Sequence, residues 1–243
     1  MIKLLIIGGN GYFGAKLFYI KNFDIINISR SKVINKKTVK LDITKQNIYN
    51  LLKHLNFDFI INLSTTKVLE KRFNHLQINT IGIKNIIEFS NKKNIPLIHF
   101  SSVAIYNKKK TNYDFGKSLS EKIIKKRLRS GIILRLPAII TEKYPNFKTL
   151  KILKKIKFLL YFLPKRIKYH KMNSPIYYVD VINILKKIFK KRNLKNKVEI
   201  YNLYGPDNTS LINFYNKKNN SFKKRNTIEE KLNYNIKSIL DYF

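Results

Sequence analysis

Tyr113 and Lys117 stand four residues apart in a stretch with helical patterning, so both side chains project from one face. A model phenol titrates near pH 10, too high for a base at neutral pH, and a neighbouring ammonium favours the phenolate and lowers that value. The pair has the makings of a proton donor and acceptor. The spacing alone is weak evidence, because the chain carries 15 tyrosines and 50 lysines and arginines. It gains force from Ser101-Ser102, which close an apolar run just upstream. A hydroxyl at Ser102 would hydrogen-bond the same substrate oxygen that Tyr113 serves.

The elements that must position these groups follow from periodicity. Short apolar runs alternate with longer helical patterns, which predicts an α/β fold with a parallel sheet covered on both faces. The expected strands are Ile2–Ile7, Asp24–Ser29, Thr38–Leu41, Phe59–Leu63, Pro96–Ser101, Ile132–Leu136 and Glu199–Leu203. The expected helices are Tyr12–Lys21, Gln46–Leu55, Asn79–Asn91, Tyr113–Leu128 and Asp180–Lys191. Pro145 and Pro164 bracket Phe147–Leu163, which reads as a small lobe leaving the sheet, and Asn216–Asn226 reads as a mobile polar loop before a short terminal helix. Residues 1–243 are taken as a single unit. Its first 142 residues are mainly cofactor-binding; residues 143–243 are mainly a substrate lobe that returns one strand and one helix to the sheet.

Four of the eight glycines fall in Gly8-Gly9-Asn10-Gly11-Tyr12-Phe13-Gly14, directly after the first strand. Strand, glycine turn and helix in that order read as a dinucleotide cradle. Gly8 would allow the tight turn, Gly11 the approach of the pyrophosphate, and Gly14 the close packing of helix on strand. A plain strand-to-helix turn is the alternative. An NAD site usually carries an acid at the end of the second strand, for the ribose 2′-hydroxyl. Here that strand ends in Asn27-Ile28-Ser29-Arg30. Arg30 suits a 2′-phosphate and Ser29 adds a hydrogen bond, which favours NADP over NAD as the cofactor. Arg30 could equally be one more surface arginine. Asp42 could meet the adenine amino group or cap the following helix.

Composition narrows the remaining classes. The chain has no cysteine, which excludes disulfides, thiolate zinc sites and cysteine nucleophiles, and no metal site is read from it. No apolar stretch reaches the roughly 18 residues of a membrane span, and no secretory leader precedes the first strand, so a cytoplasmic protein is expected. Lys148–Leu163 is basic and apolar; it reads as a buried lobe helix more readily than a membrane-surface one. The net charge of +36 suggests nucleic acid, yet residues 1–142 carry 26 basic and 8 acidic side chains and residues 143–243 carry 24 and 6. A charge spread so evenly reads as compositional drift rather than a binding patch, though it would attract an anionic substrate.

The ordered motifs resemble the NAD-dependent epimerase/dehydratase group of extended short-chain dehydrogenases/reductases over roughly residues 1–215. They include the Gly8–Gly14 turn, Asp42-Ile43, Ile61-Asn62-Leu63-Ser64, Gln77-Ile78-Asn79-Thr80-Ile81-Gly82 and Ser101-Ser102-Val103-Ala104-Ile105-Tyr106. Tyr113–Lys117 followed by Glu121, Leu134-Arg135-Leu136-Pro137, Tyr178-Val179-Asp180-Val181 and Asn202-Leu203-Tyr204-Gly205 continue the series. The resemblance implies a doubly wound, Rossmann-type NAD(P)-binding fold with a small C-terminal substrate lobe. It implies Tyr113 as general acid/base, Ser102 as polariser of the carbonyl or hydroxyl, and Lys117 lowering the tyrosine pKa and binding the nicotinamide ribose. Cofactor contacts are implied at Gly8, Gly11, Tyr12, Phe13, Gly14, Ser29, Arg30, Asp42, Ile43, Leu63 and Ser64, with Tyr113 and Lys117. Asn79, Arg135 and Asp180 are read as structural.

Family members work mostly on nucleotide sugars, which implies a reductase or epimerase of such a substrate, as in surface polysaccharide synthesis. A homodimer through the helices at Asn79–Asn91 and Tyr113–Leu128 is a further implication. Three departures qualify it. Only ten residues separate Ser102 from Tyr113, which trims the rim of the site. Val103 and Ala104 stand where sugar 4,6-dehydratases place an Asp-Glu pair, which argues against water elimination. The lobe is also small. A non-catalytic NADP-binding scaffold or an RNA-associated protein on the same fold is the other reading, and the retained Ser102, Tyr113 and Lys117 weigh against it.

Overall fold

Isoleucine- and leucine-rich runs with few polar breaks form strands buried on both faces, and such strands pair in parallel under flanking helices. The computed structural model describes residues 1–30, 33, 37–45, 47–66, 71–108, 110–140, 171–172, 175–191, 194, 196–205 and 209–210. Within them β1 (Ile2–Ile7), β2 (Phe23–Ser29), β3 (Thr38–Lys40), β4 (Phe59–Asn62), β5 (Leu97–Ser102) and β6 (Gly131–Leu136) follow in chain order. The short strands β7 (Ile139–Ile140), β8 (Lys171–Met172) and β9 (Ile176–Tyr177) precede β10 (Val198–Asn202) and β11 (Thr209–Ser210). Seven of these make one sheet in the order β10-β6-β5-β4-β1-β2-β3, parallel throughout. All seven expected strands form, each within one residue of its expected ends.

The strand order reverses at β1, between β2 on one side and β4 on the other. Chain crossings diverge there and leave a crevice beyond the carboxyl ends of the strands, the usual ligand position in such sheets. Ile7 of β1 lies in register with Ile28 of β2 and Asn62 of β4, so the loops after all three strands rise side by side.

Helices depart more from expectation. α1 (Tyr12–Leu17) is shorter than predicted, because beyond Leu17 the chain tightens to the bonds Tyr19 N–H to Lys16 O and Ile20 N–H to Leu17 O. α2 (Ile48–Leu52) is capped by Asn47, whose side chain accepts from the Tyr49 N–H. The helix expected at Asn79–Asn91 starts earlier, as α3 (Arg72–Gln77), then passes through one π-turn at Ile78–Gly82 into α4 (Ile83–Lys93). α5 (Asn112–Arg127) opens on a capping box between Thr111 and Asp114, and α6 spans Tyr178–Lys191.

The chain divides into two units. The first holds Met1–Leu136 and Phe189–Asn202. One face of its sheet packs Leu5, Ile7, Ile60 and Leu97 with Ile83, Ile86, Ile87 and Phe89 of α4 and Ile124 of α5. Phe59 of β4 and Phe189 stack at 4.8 Å between ring centroids. The described residues within Pro137–Ile188 and from Leu203 onward fall in the second, where β7 pairs with β9 and β8 with β11. The expected segments Phe147–Leu163 and Asn216–Asn226 lie outside the described residues. Among the described residues no helix is long and apolar enough to cross a membrane.

Candidate active site

The glycine turn is built by sterics. Gly8 has φ +84°, and a Cβ there would stand 2.9 Å from the backbone of Ser64. A Cβ on Gly14 would meet the carbonyl oxygen of Gly9 at 2.5 Å, so the first turn of α1 can sit on the loop only as glycine. In front of Gly11 the space is open, the nearest atom being 3.8 Å from such a Cβ. A cleft of about 240 Å³ runs from here past the ends of β1, β2 and β4. Gly8, Gly11, Ser29, Arg30, Asp42, Ile43, Leu63 and Ser64 all line it, as do Asn10 and Thr65, which the sequence reading did not single out. Tyr12, Phe13 and Gly14 lie off its walls. Phe13 is instead buried against Phe100, at 5.3 Å between centroids, and Tyr12 is exposed.

At the far end of the cleft, Asp42 Oδ1 accepts from both the backbone N–H and the hydroxyl of Thr44. Burial pushes this carboxyl up, but the two Thr44 bonds and the charges of Arg30 and Lys45 outweigh it and hold the group below its ordinary value. Asp42 thus closes its own turn, and the helix cap it could have supplied comes from Asn47. Arg30 is exposed at the end of β2, beside Ser29.

The proposed catalytic residues meet across the next loop. Ser102 ends β5, and its Oγ accepts from the Ala104 N–H to cap the 3₁₀ turn Val103–Tyr106. Tyr113 projects from the first turn of α5, half-buried, on the side where Ser102 acts on its phenol. Lys117 is buried one turn on, and its Nζ donates to Phe100 O at 2.8 Å and to Ser64 O at 3.5 Å. Ser64 therefore joins the cleft to these groups.

The electrostatics differ from the sequence expectation. Burial raises the Tyr113 phenol above its ordinary pKa; the Ser102 side chain draws it down and Asp114 adds to the rise. The ammonium of Lys117 lies 6.0 Å from the Tyr113 ring centroid and is itself pushed to about 8 by burial, against the pull of Glu121. Desolvation thus sets the direction at Tyr113, and the expected downward pull of Lys117 is not among the causes of its shift.

Two buried networks hold this geometry. Asn62 Oδ1 accepts the Ser64 N–H and hydroxyl, Asn62 Nδ2 donates to His99 Nδ1, and His99 Nε2 faces Ser120 Oγ, which donates to Lys117 O. Burial and the Lys117 charge keep His99 well below its ordinary pKa, so the imidazole is neutral. Behind it, Glu121 accepts from Ser101 Oγ at 2.5 Å and from Arg135 through Nε and Nη2, and Arg135 also bonds Tyr106. Asn79, in the π-turn, donates to His75 O and lies where a Cβ on Gly116 would fall. The His75 ring stands edge-on to Tyr113 at 6.2 Å. His75 and His99 carried no motif signal.

The model of the NAD dependent epimerase/dehydratase family matches residues 4–127. No curated protein sequence matches the chain significantly. Solved structures match closely in fold at low identity. The dTDP-4-dehydrorhamnose reductase of Bacillus anthracis, solved with NADP, is 19% identical with a TM-score of 0.69, over 89% of this chain and 79% of its own. The Bordetella bronchiseptica enzyme WbmH, solved with NAD+, is 13% identical with a TM-score of 0.73, over 92% and 82%. The UDP-N-acetylglucosamine 4-epimerase of Bacillus cereus is 19% identical with a TM-score of 0.64, over 91% and 86%.

Proposed function

Because this chain belongs to the NAD-dependent epimerase/dehydratase family, we propose that it is an NADP-dependent reductase or epimerase of a nucleotide-activated sugar, working through Ser102, Tyr113 and Lys117. The residues present suit a dinucleotide: a cradle that a Cβ would fill at Gly8 and Gly14, open space at Gly11, and a cleft continuing to Ser29 and Arg30. When bound, the cofactor supplies the capacity to give or take two electrons with a proton at a sugar carbon. Tyr113 Oη then gives or takes the proton at the sugar oxygen. Ser102 donates a hydrogen bond to that same oxygen and holds it against the phenol. Lys117, directed by Phe100 O and Ser64 O, supplies positive charge beneath the phenol and binds the cofactor's ribose.

The observation that carries this reading is the buried lysine, whose two acceptors lie on the catalytic strand and on the cofactor loop. A buried ammonium is costly to keep, and here its directed contacts lie beside Ser102 and Tyr113, whose phenol feels the Ser102 side chain. The preference for NADP rests on Arg30 and on the lack of an acid at the end of β2. The neighbours solved with NADP and with NAD+ leave that choice to the chain's own residues. Phe73 and Phe115, exposed on α3 and α5, are consistent with a homodimer through that side.

The test is Tyr113→Phe assayed against nucleotide-linked keto sugars with NADPH. Turnover should fall to background while NADPH binding stays within about threefold of wild type. A variant that turns over at the wild-type rate overturns the catalytic assignment.

A further inference from the structure

The end of β2 and the glycine turn are joined by a hydrogen-bond chain that runs in one direction only. The Gly9 N–H donates to Asn27 Oδ1 at 2.9 Å. A backbone N–H has no acceptor form, so this bond dictates which way the Asn27 amide faces. Asn27 Nδ2 then donates to Asn10 Oδ1 at 2.9 Å, which turns the Asn10 amide group toward Ser29. Asn10 Nδ2 donates in turn to Ser29 Oγ at 2.7 Å. Asn27 is fully buried, and a Cβ on Gly9 would come within 2.6 Å of its Oδ1, so the backbone can approach this closely only at glycine.

Ser29, with Arg30 beside it, lines the cleft, and its oxygen already accepts. What it offers a ligand is its proton. We propose that Asn27 and Asn10 are specificity-determining residues that lock Ser29 as a hydrogen-bond donor, so that this corner of the cleft selects a group rich in acceptors, the 2′-phosphate of NADP. Arg30 supplies the charge and the asparagine chain supplies the polarity. A ribose 2′-hydroxyl, which donates to the acid of an ordinary NAD site, meets no carboxylate in this chain of groups, only neutral oxygens that already accept a hydrogen bond. The inference rests on the NADP reading above.

The test is a double-mutant cycle read by titration of NADPH and NADH binding, without turnover. In Asn27→Asp the carboxylate still accepts the Gly9 N–H but can only accept from Asn10. The Asn10 amide must then present its oxygen to Ser29, whose proton turns away from the ligand. NADPH should bind about 10- to 100-fold more weakly, the worth of one charge-assisted hydrogen bond, and NADH within about threefold of wild type. In a Ser29→Ala background the same substitution should change NADPH binding by less than about threefold. Should Asn27→Asp fail to fold, Asn10→Asp makes the same reversal at a half-buried position.

A loss of NADPH affinity that persists undiminished in Ser29→Ala would assign the effect to the added charge and overturn the proposal, as would no loss at all. A wild-type protein that binds NADH as tightly as NADPH would overturn the NADP reading and this one together. A wild type that prefers NADPH, with the cycle failing, would overturn this one alone.

Discussion

Lys117→Met tests whether the ammonium is held in the interior against its own solvation. Burial takes the Lys117 pKa from its ordinary 10.5 to about 8, against the opposing pull of Glu121. Between those two values the unfolded chain keeps a proton that the folded chain has released, so stability rises with pH across that window. Below about pH 8 the full penalty of the buried charge is present; above 10.5 it is gone. At about 1.36 kcal/mol per pH unit, the interval amounts to about 3 kcal/mol. Methionine abolishes this titration and leaves Phe100 O without its donor, a loss of about 1–3 kcal/mol that does not depend on pH. The variant should therefore be close to wild type in stability at pH 7. Urea unfolding of both proteins at steps from pH 7 to 10.5 isolates the lysine, because other titrations cancel in the difference. That difference should move by about 3 kcal/mol in favour of the wild type. A difference that is flat across the window, or that moves the other way, refutes the reasoning.

Other perturbations probe the cradle and the networks. Gly14→Ala places a methyl 2.5 Å from Gly9 O and 2.6 Å from Gly9 Cα, both backbone. It should cost roughly 1–3 kcal/mol in denaturant melts and abolish dinucleotide binding, and an alanine variant that keeps both would show the turn to be slack. Glu121→Gln removes one charge of a buried pair whose side chains are 4% and 13% exposed, and should cost roughly 3 kcal/mol in the same melts. A loss below about 1 kcal/mol would mean that water already screens the pair. Arg30→Ala should weaken NADPH about tenfold or more in a fluorescence titration while barely altering NADH, and an equal loss of both would remove the 2′-phosphate argument.

The sheet was legible because its strands are runs such as Leu4-Leu5-Ile6-Ile7, buried on both faces and punctuated by polar turns. Helices were less so. In a chain this rich in lysine and asparagine, the polar side of a helix and the loop after it look alike, which is why α1 was drawn four residues too long. The π-turn at Ile78–Gly82 leaves no mark in periodicity, since one inserted residue shifts the pattern by less than a turn. In the candidate site, the glycine turn and the Tyr113–Lys117 pair could be picked out because their spacing is local in sequence. Asn10, Asn27 and His99 could not, because they act through partners distant in sequence, as Asn27 does, 18 positions beyond Gly9. The balance of burial and charge at Tyr113 was likewise out of reach, because it depends on a solvent exclusion that only the packed structure sets.

Asp114, Glu121 and Asp180 lie in the interior, and the chain has only 14 carboxylate side chains to set against 50 cations. Among the described residues the solvent-facing shell is thus more one-signed than their composition alone conveys. Such a shell carries a dense atmosphere of small anions, and the nucleotide-bearing substrate proposed above would arrive by exchanging places with them. The rate of that arrival should fall as ionic strength rises, while the chemistry behind the Gly8–Gly14 turn proceeds unaltered.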